Sequence, residues 1–383
     1  MADSESPRAR RSAEALPLPS EVALVLQGGG ALGSYQAGVF EALAERGIAI
    51  DRVAGISIGA VNAAIIAGNP PELRVHRLGQ FWDTVTGGLP SFPIWHDDRM
   101  RELLHELSAG WVASAGVPGF FKPRMIPPLL APPGSPDALS FYDSGALAET
   151  LDRLVDWDLL NNGPVHFSVG AVDVESGNFY YFDNRKQKID ARHVMASGAL
   201  PPGLPPVEID GRLWWDGGLV SNTPLTDVLE TQTSDLLVFQ VDLFSATSVR
   251  PKTIMDVMAR EKEIRFSSRT RQVSTDLVKL RRAREIAQRL LAKLPPDLRD
   301  DPDAVALCAI ATEKPVSIVQ LIYRANAWEG GSRDFEFSAR TMREHWDAGR
   351  TAVANTMGKA GVLARNILDG RTATFDLARD QAE

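Results

Sequence analysis

The stretch EVALVLQGGGALG, residues 21–33, decides the fold. Val22 to Leu26 form an uninterrupted apolar run of strand length that ends abruptly in Gln27 and the glycines at 28–30. An apolar run without polar alternation is the pattern of a parallel strand buried on both faces. The following SYQAGVFEALAER, residues 34–46, sets Ala37, Val39, Phe40 and Leu43 at near-helical spacing and stops at Gly47, a residue suited to the left-handed position past a helix end. Strand, glycine turn and helix make one unit. A second begins at once, with a strand-like Arg52–Ser57 and a helix of small apolar residues from Ile58 to Ala67 before Gly68-Asn-Pro-Pro. Further strands are predicted at 165–172, 178–182, 213–215 and 236–241. Strands alternating with helices imply an α/β layered fold, with a largely parallel central sheet flanked by helices.

Composition sets the outer bounds. With 383 residues, 44% hydrophobic and 23% charged, the chain is an ordinary globular protein with room for one main domain and an appendage. The text divides into a flexible N-terminal tail at 1–20, an α/β domain at 21–245 and a helical C-terminal extension at 246–383. A formal net charge of −8 argues against a nucleic-acid partner, which would need an excess of Lys and Arg. The lone Cys308, inside the apolar run 304–309, reads as a buried small hydrophobe. No segment approaches the length of a membrane span and the first twenty residues lack a secretory core, so a cytoplasmic protein is expected. No His or Cys pair stands at ligand spacing, so neither metal nor cofactor is expected.

Two segments each carry a double reading. Residues 117–136 hold seven prolines among Phe120, Phe121, Met125, Leu129 and Leu130. Such a stretch cannot form a regular element yet disfavours water, and it is either a loop packed on the surface or a cover for an apolar channel. Residues 252–293 carry twelve Lys and Arg against five Asp and Glu, and Leu280, Ala283, Ala287, Leu290 and Leu294 form an apolar stripe. That is either a helix packed on its own domain or one that lies peripherally on an anionic membrane surface.

Chemistry concentrates at the ends of the first two strands. Gly55-Ile56-Ser57-Ile58-Gly59 is a G-x-S-x-G pattern between an apolar strand and a small-residue helix, the context in which a serine is held exposed on a sharp turn. Gly28, Gly29 and Gly30 offer bare backbone N–H groups to one anionic oxygen, as an oxyanion hole requires. The run to Gly33 also spells G-x-G-x-x-G, and Asp51 follows eighteen residues later, so a dinucleotide-binding oxidoreductase is an alternative. Against it, Asp51 leads directly into the strand that carries Ser57. For the base that a serine nucleophile needs, His345 is the one histidine in Ser, Asp, His order, and it reads as a partly exposed structural residue. The other candidate is Asp216, at the end of a short aromatic strand and followed by Gly217 and Gly218.

Taken in order, the glycine-rich loop, the G-x-S-x-G turn and Asp216-Gly217-Gly218 resemble the patatin-like phospholipases. The intervening ASGALPPGLPP at 196–206 is similar to the family's loop before its aspartate, and a bacterial subgroup shares a C-terminal extension. The resemblance implies a serine lipid acyl hydrolase working without cofactor. Ser57 would be the nucleophile, Asp216 the general base, Gly28, Gly29 and Gly30 the oxyanion hole, and Gly33, Gly55, Gly59, Gly217 and Gly218 the motif glycines. Leu32 stands where many members carry Arg or Lys, so no side chain there can pair with a phosphate. A non-enzymatic module that binds membrane surfaces and keeps the scaffold is a further alternative.

Overall fold

The structure, a computed structural model, describes residues 16–88, 98–248, 250–311, 314–325, 329 and 331–378. Of the expected tail at 1–20, residues 1–15 lie outside the described residues, and Leu16 already packs against the core.

Eleven strands run in chain order: β1 Glu21–Leu26, β2 Arg52–Gly55, β3 Lys122–Pro123, β4 Tyr142–Asp143, β5 His166–Asp173, β6 Phe179–Asp183, β7 Val207–Ile209, β8 Arg212–Asp216, β9 Leu236–Asp242, β10 Val316–Ile322 and β11 Ala373–Phe375. Nine of them form one sheet in the order β11-β10-β9-β1-β2-β5-β8-β7, with β6 pairing β5, while β3 and β4 form a separate antiparallel pair. From β11 through β5 every pairing is parallel, and β6, β7 and β8 add antiparallel partners. The helices Gly33–Glu45 and Ile58–Ala67 follow β1 and β2 as expected, and the latter is buried along its whole length. A helix made of Ala, Val and Ile on all sides can only sit between other layers.

Register explains how distant parts of the chain meet. Strand β5 pairs with β2 along residues 166–169 and with β8 along 171–173, while β6 spans 168–172. Because β6 overlaps both partners, β2 and β8 must share the opposite edge of β5, end to end. Gly55 faces Val169 and Asp216 faces Ala171. The C-terminal ends of β2 and β8 therefore point at each other from two positions apart, about 7 Å along the strand.

The C-terminal region carries the expected helices, Ile254–Leu291, Pro302–Ala311, Ala339–Gly358 and Ala360–Leu368. It also supplies β10 and β11, which extend the main sheet beyond β9. The helix Ala339–Gly358 crosses Gly33–Glu45 at glycines on both sides: a Cβ on Gly38 would lie 1.9 Å from the Trp346 carbonyl oxygen, and one on Gly349 2.2 Å from that of Tyr35. Four side chains depart from the sequence reading. Cys308 is exposed rather than buried. His345 is buried, with its ring 5.0 Å from that of Tyr323 and its Nε2 3.5 Å from Glu329. Leu280 and Leu290, expected to pack on their own domain, are about half exposed.

Candidate active site

Ser57 stands at the junction of β2 and the helix Ile58–Ala67 with φ 55° and ψ −123°. This is left-handed backbone, a conformation costly for a residue with a Cβ and one that persists only when its surroundings impose it. The flanking glycines supply the imposition. A Cβ on Gly55 would lie 2.3 Å from the Gly59 carbonyl oxygen, and one on Gly59 2.3 Å from that of Leu26. The turn is thus pressed between its own helix and β1. Its backbone is further pinned where the Ser57 N–H donates to the carbonyl and hydroxyl oxygens of Ser197, each at 3.1 Å.

Ser57 and Asp216 line the same cavity, and the Asp216 Oδ1 accepts the Gly218 N–H at 2.7 Å. Asp216 is 2% exposed. Burial is the largest influence on it and pushes its carboxyl up to about 7, against the pull of the Gly218 N–H and of the neighbouring Ser57. Removing a carboxylate from water disfavours its charged form, so the group gains basicity that an exposed aspartate lacks. Gly217 must lack a side chain here, since a Cβ would meet the Gly170 carbonyl oxygen at 2.5 Å.

The glycine loop closes the site from the end of β1. Gly28 donates its N–H to the Asn222 carbonyl at 3.2 Å and accepts from Asn222 Nδ2 at 2.9 Å. That use corrects the expectation of three equivalent donors. Gly28 gives close approach instead, its would-be Cβ lying 3.1 Å from that of Ser57. No acceptor for the N–H groups of Gly29 and Gly30 is found among the described residues. Gly33 abuts Ile58, where a Cβ would lie 2.5 Å away. A buried polar network holds the loop. The Gln27 side-chain oxygen accepts from Leu243 and Phe244, Gln36 donates to the Gln27 carbonyl at 2.6 Å, and Asn62 bridges Gly33 and Gln36. Leu32 is fully buried, so it contributes packing and no charge.

A cavity of about 240 Å³ opens above Ser57, Asp216 and the three glycines. Phe120 and Phe121 of the proline-rich segment and Tyr142 of β4 wall one side of it, and Phe244, Phe266 and Phe337 also line it. The segment's base therefore lines the cavity, while its tip, Met125, Leu129 and Leu130, is the most exposed apolar surface of the described residues.

Other sequence candidates lie elsewhere. Asp51 accepts from the Val22 N–H at 2.9 Å, which puts it at the start of β1 while the glycine loop is at the end. The dinucleotide reading fails on that separation, roughly 16 Å for a strand of this length. His345 contacts Tyr323 and Glu329 and does not line the cavity. The short helix Leu225–Glu230 begins at Pro224 without a side-chain cap, and Asn222 before it binds the glycine loop. Sequence reasoning gave no role to Asn222, to Ser197 within the loop at 196–206, or to the C-terminal cavity residues. Among the described residues no group of three or more His, Cys, Asp or Glu could hold a metal ion.

The family model described as patatin-like phospholipase matches residues 24–229, and one described as patatin phospholipase matches 264–367. A lysophospholipase NTE1 of Kluyveromyces lactis is 26% identical over 237 residues, 61% of this chain and 13% of that protein. An NTE family protein of Mycobacterium tuberculosis is 29% identical over 207 residues, 54% of this chain and 45% of that one. The chain thus spans less than half the length of these curated relatives. Among solved structures, VipD from Legionella pneumophila is similar at TM-score 0.36 and 16% identity, covering 92% of this chain and 75% of that one.

Proposed function

Because the chain belongs to the patatin-like phospholipase family, we propose that it is a serine lipid acyl hydrolase that cleaves carboxylic esters through a Ser57/Asp216 dyad. The observation that carries this reading is the convergence on one apolar cavity of Ser57, the glycine loop and a buried Asp216 whose carboxyl is raised to about 7. Ser57 Oγ attacks the ester carbonyl as Asp216 takes its proton. The oxyanion that forms is held by the N–H groups of Gly29 and Gly30, donors of a kind worth about 10² to 10³ in rate apiece. Asp216 returns the proton to the leaving alcohol. Water, deprotonated by the same carboxylate, then releases the acid from the acyl-enzyme. The relatives' name of lysophospholipase favours lipid esters as substrates.

The chain has no helix among the described residues long and apolar enough to cross a membrane. Contact with a lipid surface would be peripheral, through the basic helix region 252–293. What supports this is the exposure there of Val257, Met258, Ile264, Leu280 and Leu290 among the Lys and Arg residues, a mixture suited to anionic interfaces.

The test is hydrolysis of p-nitrophenyl esters and lysophosphatidylcholine by the wild type, Ser57→Ala, Asp216→Ala and His345→Ala, each checked for folding by circular dichroism. Loss of about 10⁴-fold or more in the first two, with activity kept in a folded His345→Ala, is expected. A folded wild type inert on every ester would instead favour a surface-binding module.

A further inference from the structure

The cavity over Ser57 is not built by residues before 245 alone. Phe266, on the long helix Ile254–Leu291, stacks on Phe244 with ring centroids 5.1 Å apart and planes at 29°. Phe337 meets Phe120 edge-on at 6.1 Å. The turn Arg333–Phe335, just before Phe337, lies directly on the glycine loop, since a Cβ on Gly30 would be 2.3 Å from the Asp334 carbonyl oxygen.

That placement is tied down from several directions. Lys262 bonds Asp334 at 2.5 Å and lies 5.0 Å above the Phe335 ring. Arg333 pairs with the buried Glu263. Ser332 donates to Glu106 at 2.5 Å, and Ser108 to Glu336 at 2.6 Å. Because the wall is fastened by ion pairs and buried hydrogen bonds, its rings are fixed stops and not loose covers.

An aromatic cavity of this kind takes hydrocarbon, and rings standing across its far side set how far a chain can extend from Ser57. We propose that the C-terminal region forms the far wall of the acyl site, and that Phe266 and Phe337 restrict the acyl group to short and medium chains. The inference rests on the ester-hydrolase reading and specifies its substrate class.

The experiment measures kcat/KM on p-nitrophenyl esters from two to sixteen carbons for the wild type, Phe266→Ala, Phe266→Leu, Phe337→Ala and Phe337→Leu. The leucine variants keep apolar volume and guard against misfolding. For the wild type, kcat/KM should rise roughly four-fold per methylene, peak at a short or medium chain and then fall. The variants should move the peak by at least two carbons and raise the ratio of twelve-carbon to four-carbon rates about ten-fold. A wild type that prefers sixteen carbons overturns the proposal, as does an unchanged profile in all four folded variants. If the folded wild type cleaves no ester, the hydrolase reading fails. The wall is then judged by calorimetric binding of straight-chain fatty acids, where the same length cutoff and the same shift support it and length-independent or absent binding overturns it.

Discussion

At the scale of single residues, Asp216 sets both activity and stability. Its carboxyl, raised to about 7 by burial, must be ionised to accept the serine proton. kcat/KM should therefore rise as pH increases through about 7 and level off above it, and a pH profile flat from 5 to 9 would contradict the assigned role. Stability moves oppositely. In the unfolded chain the same carboxyl titrates near its ordinary ~3.9, so between about pH 4 and 7 the folded state holds the extra proton. Stability falls as pH rises through that window, by up to about 4 kcal/mol from this group above pH 7. Asp216→Asn keeps an oxygen for Gly218 and removes the buried charge. Its Tm should exceed that of the wild type at pH 8 and match it near pH 4, while hydrolysis is lost. The buried Asp242, also pushed up to about 7, adds the same slope in both proteins and so cancels from the difference. Ser57 and Asp216 stand out in the sequence because each sits among glycines that only a close backbone approach requires. Asn222 and Ser197 do not, because they act on backbone atoms of segments far away in the chain.

At the scale of elements, two structures invite direct tests. The first is the turn between β2 and its helix. Gly55→Ala drives a methyl into the Gly59 carbonyl at 2.3 Å, backbone that cannot swing aside. It should lower stability by about 1–3 kcal/mol in a denaturant titration and cut activity further than unfolding explains, because Ser57 loses its aim. The second is the long helix Ile254–Leu291. Its length and amphipathic stripe are legible in the sequence, but periodicity does not say which face meets protein, and the stripe's Leu280 and Leu290 prove to be exposed. With a peripheral lipid contact, Leu280→Asp/Leu290→Asp should weaken sedimentation with vesicles rich in phosphatidylserine at least five-fold. Hydrolysis of a soluble short ester should stay unchanged, and equal vesicle binding by variant and wild type would remove the helix from that role. Strand β1 is readable for a plainer reason: buried on both faces, it is apolar at every position from Val22 to Leu26.

At the scale of the whole molecule, the C-terminal region is where sequence reading stopped short. It reads as a helical extension because long helices dominate its text, whereas β10 is a seven-residue strand between irregular stretches. Nothing local says that such a strand pairs with β9, whose partner residues lie eighty positions earlier. Yet β10 pairs with β9 along its full length, and Ala339–Gly358 is seated on Gly33–Glu45 through Gly38 and Gly349. A chain cut at 245 would bare the edge of β9, a row of unpaired backbone groups that templates aggregation. It would also uncover the apolar face of the first helix and open the cavity over Ser57. We therefore expect a fragment of residues 16–245 to be insoluble or to bind a hydrophobic dye strongly, and the full chain to unfold in one cooperative transition. A sharper version leaves the chain intact. Gly349→Val places its branched carbon within 2.2 Å of the Tyr35 carbonyl oxygen and should separate the two helices at a cost of about 1–3 kcal/mol or more. If the C-terminal region were an independent appendage, that variant would melt in two steps with the active site surviving the first. Because the same region completes both sheet and cavity, ester hydrolysis and helix content should instead be lost together, at one lowered Tm.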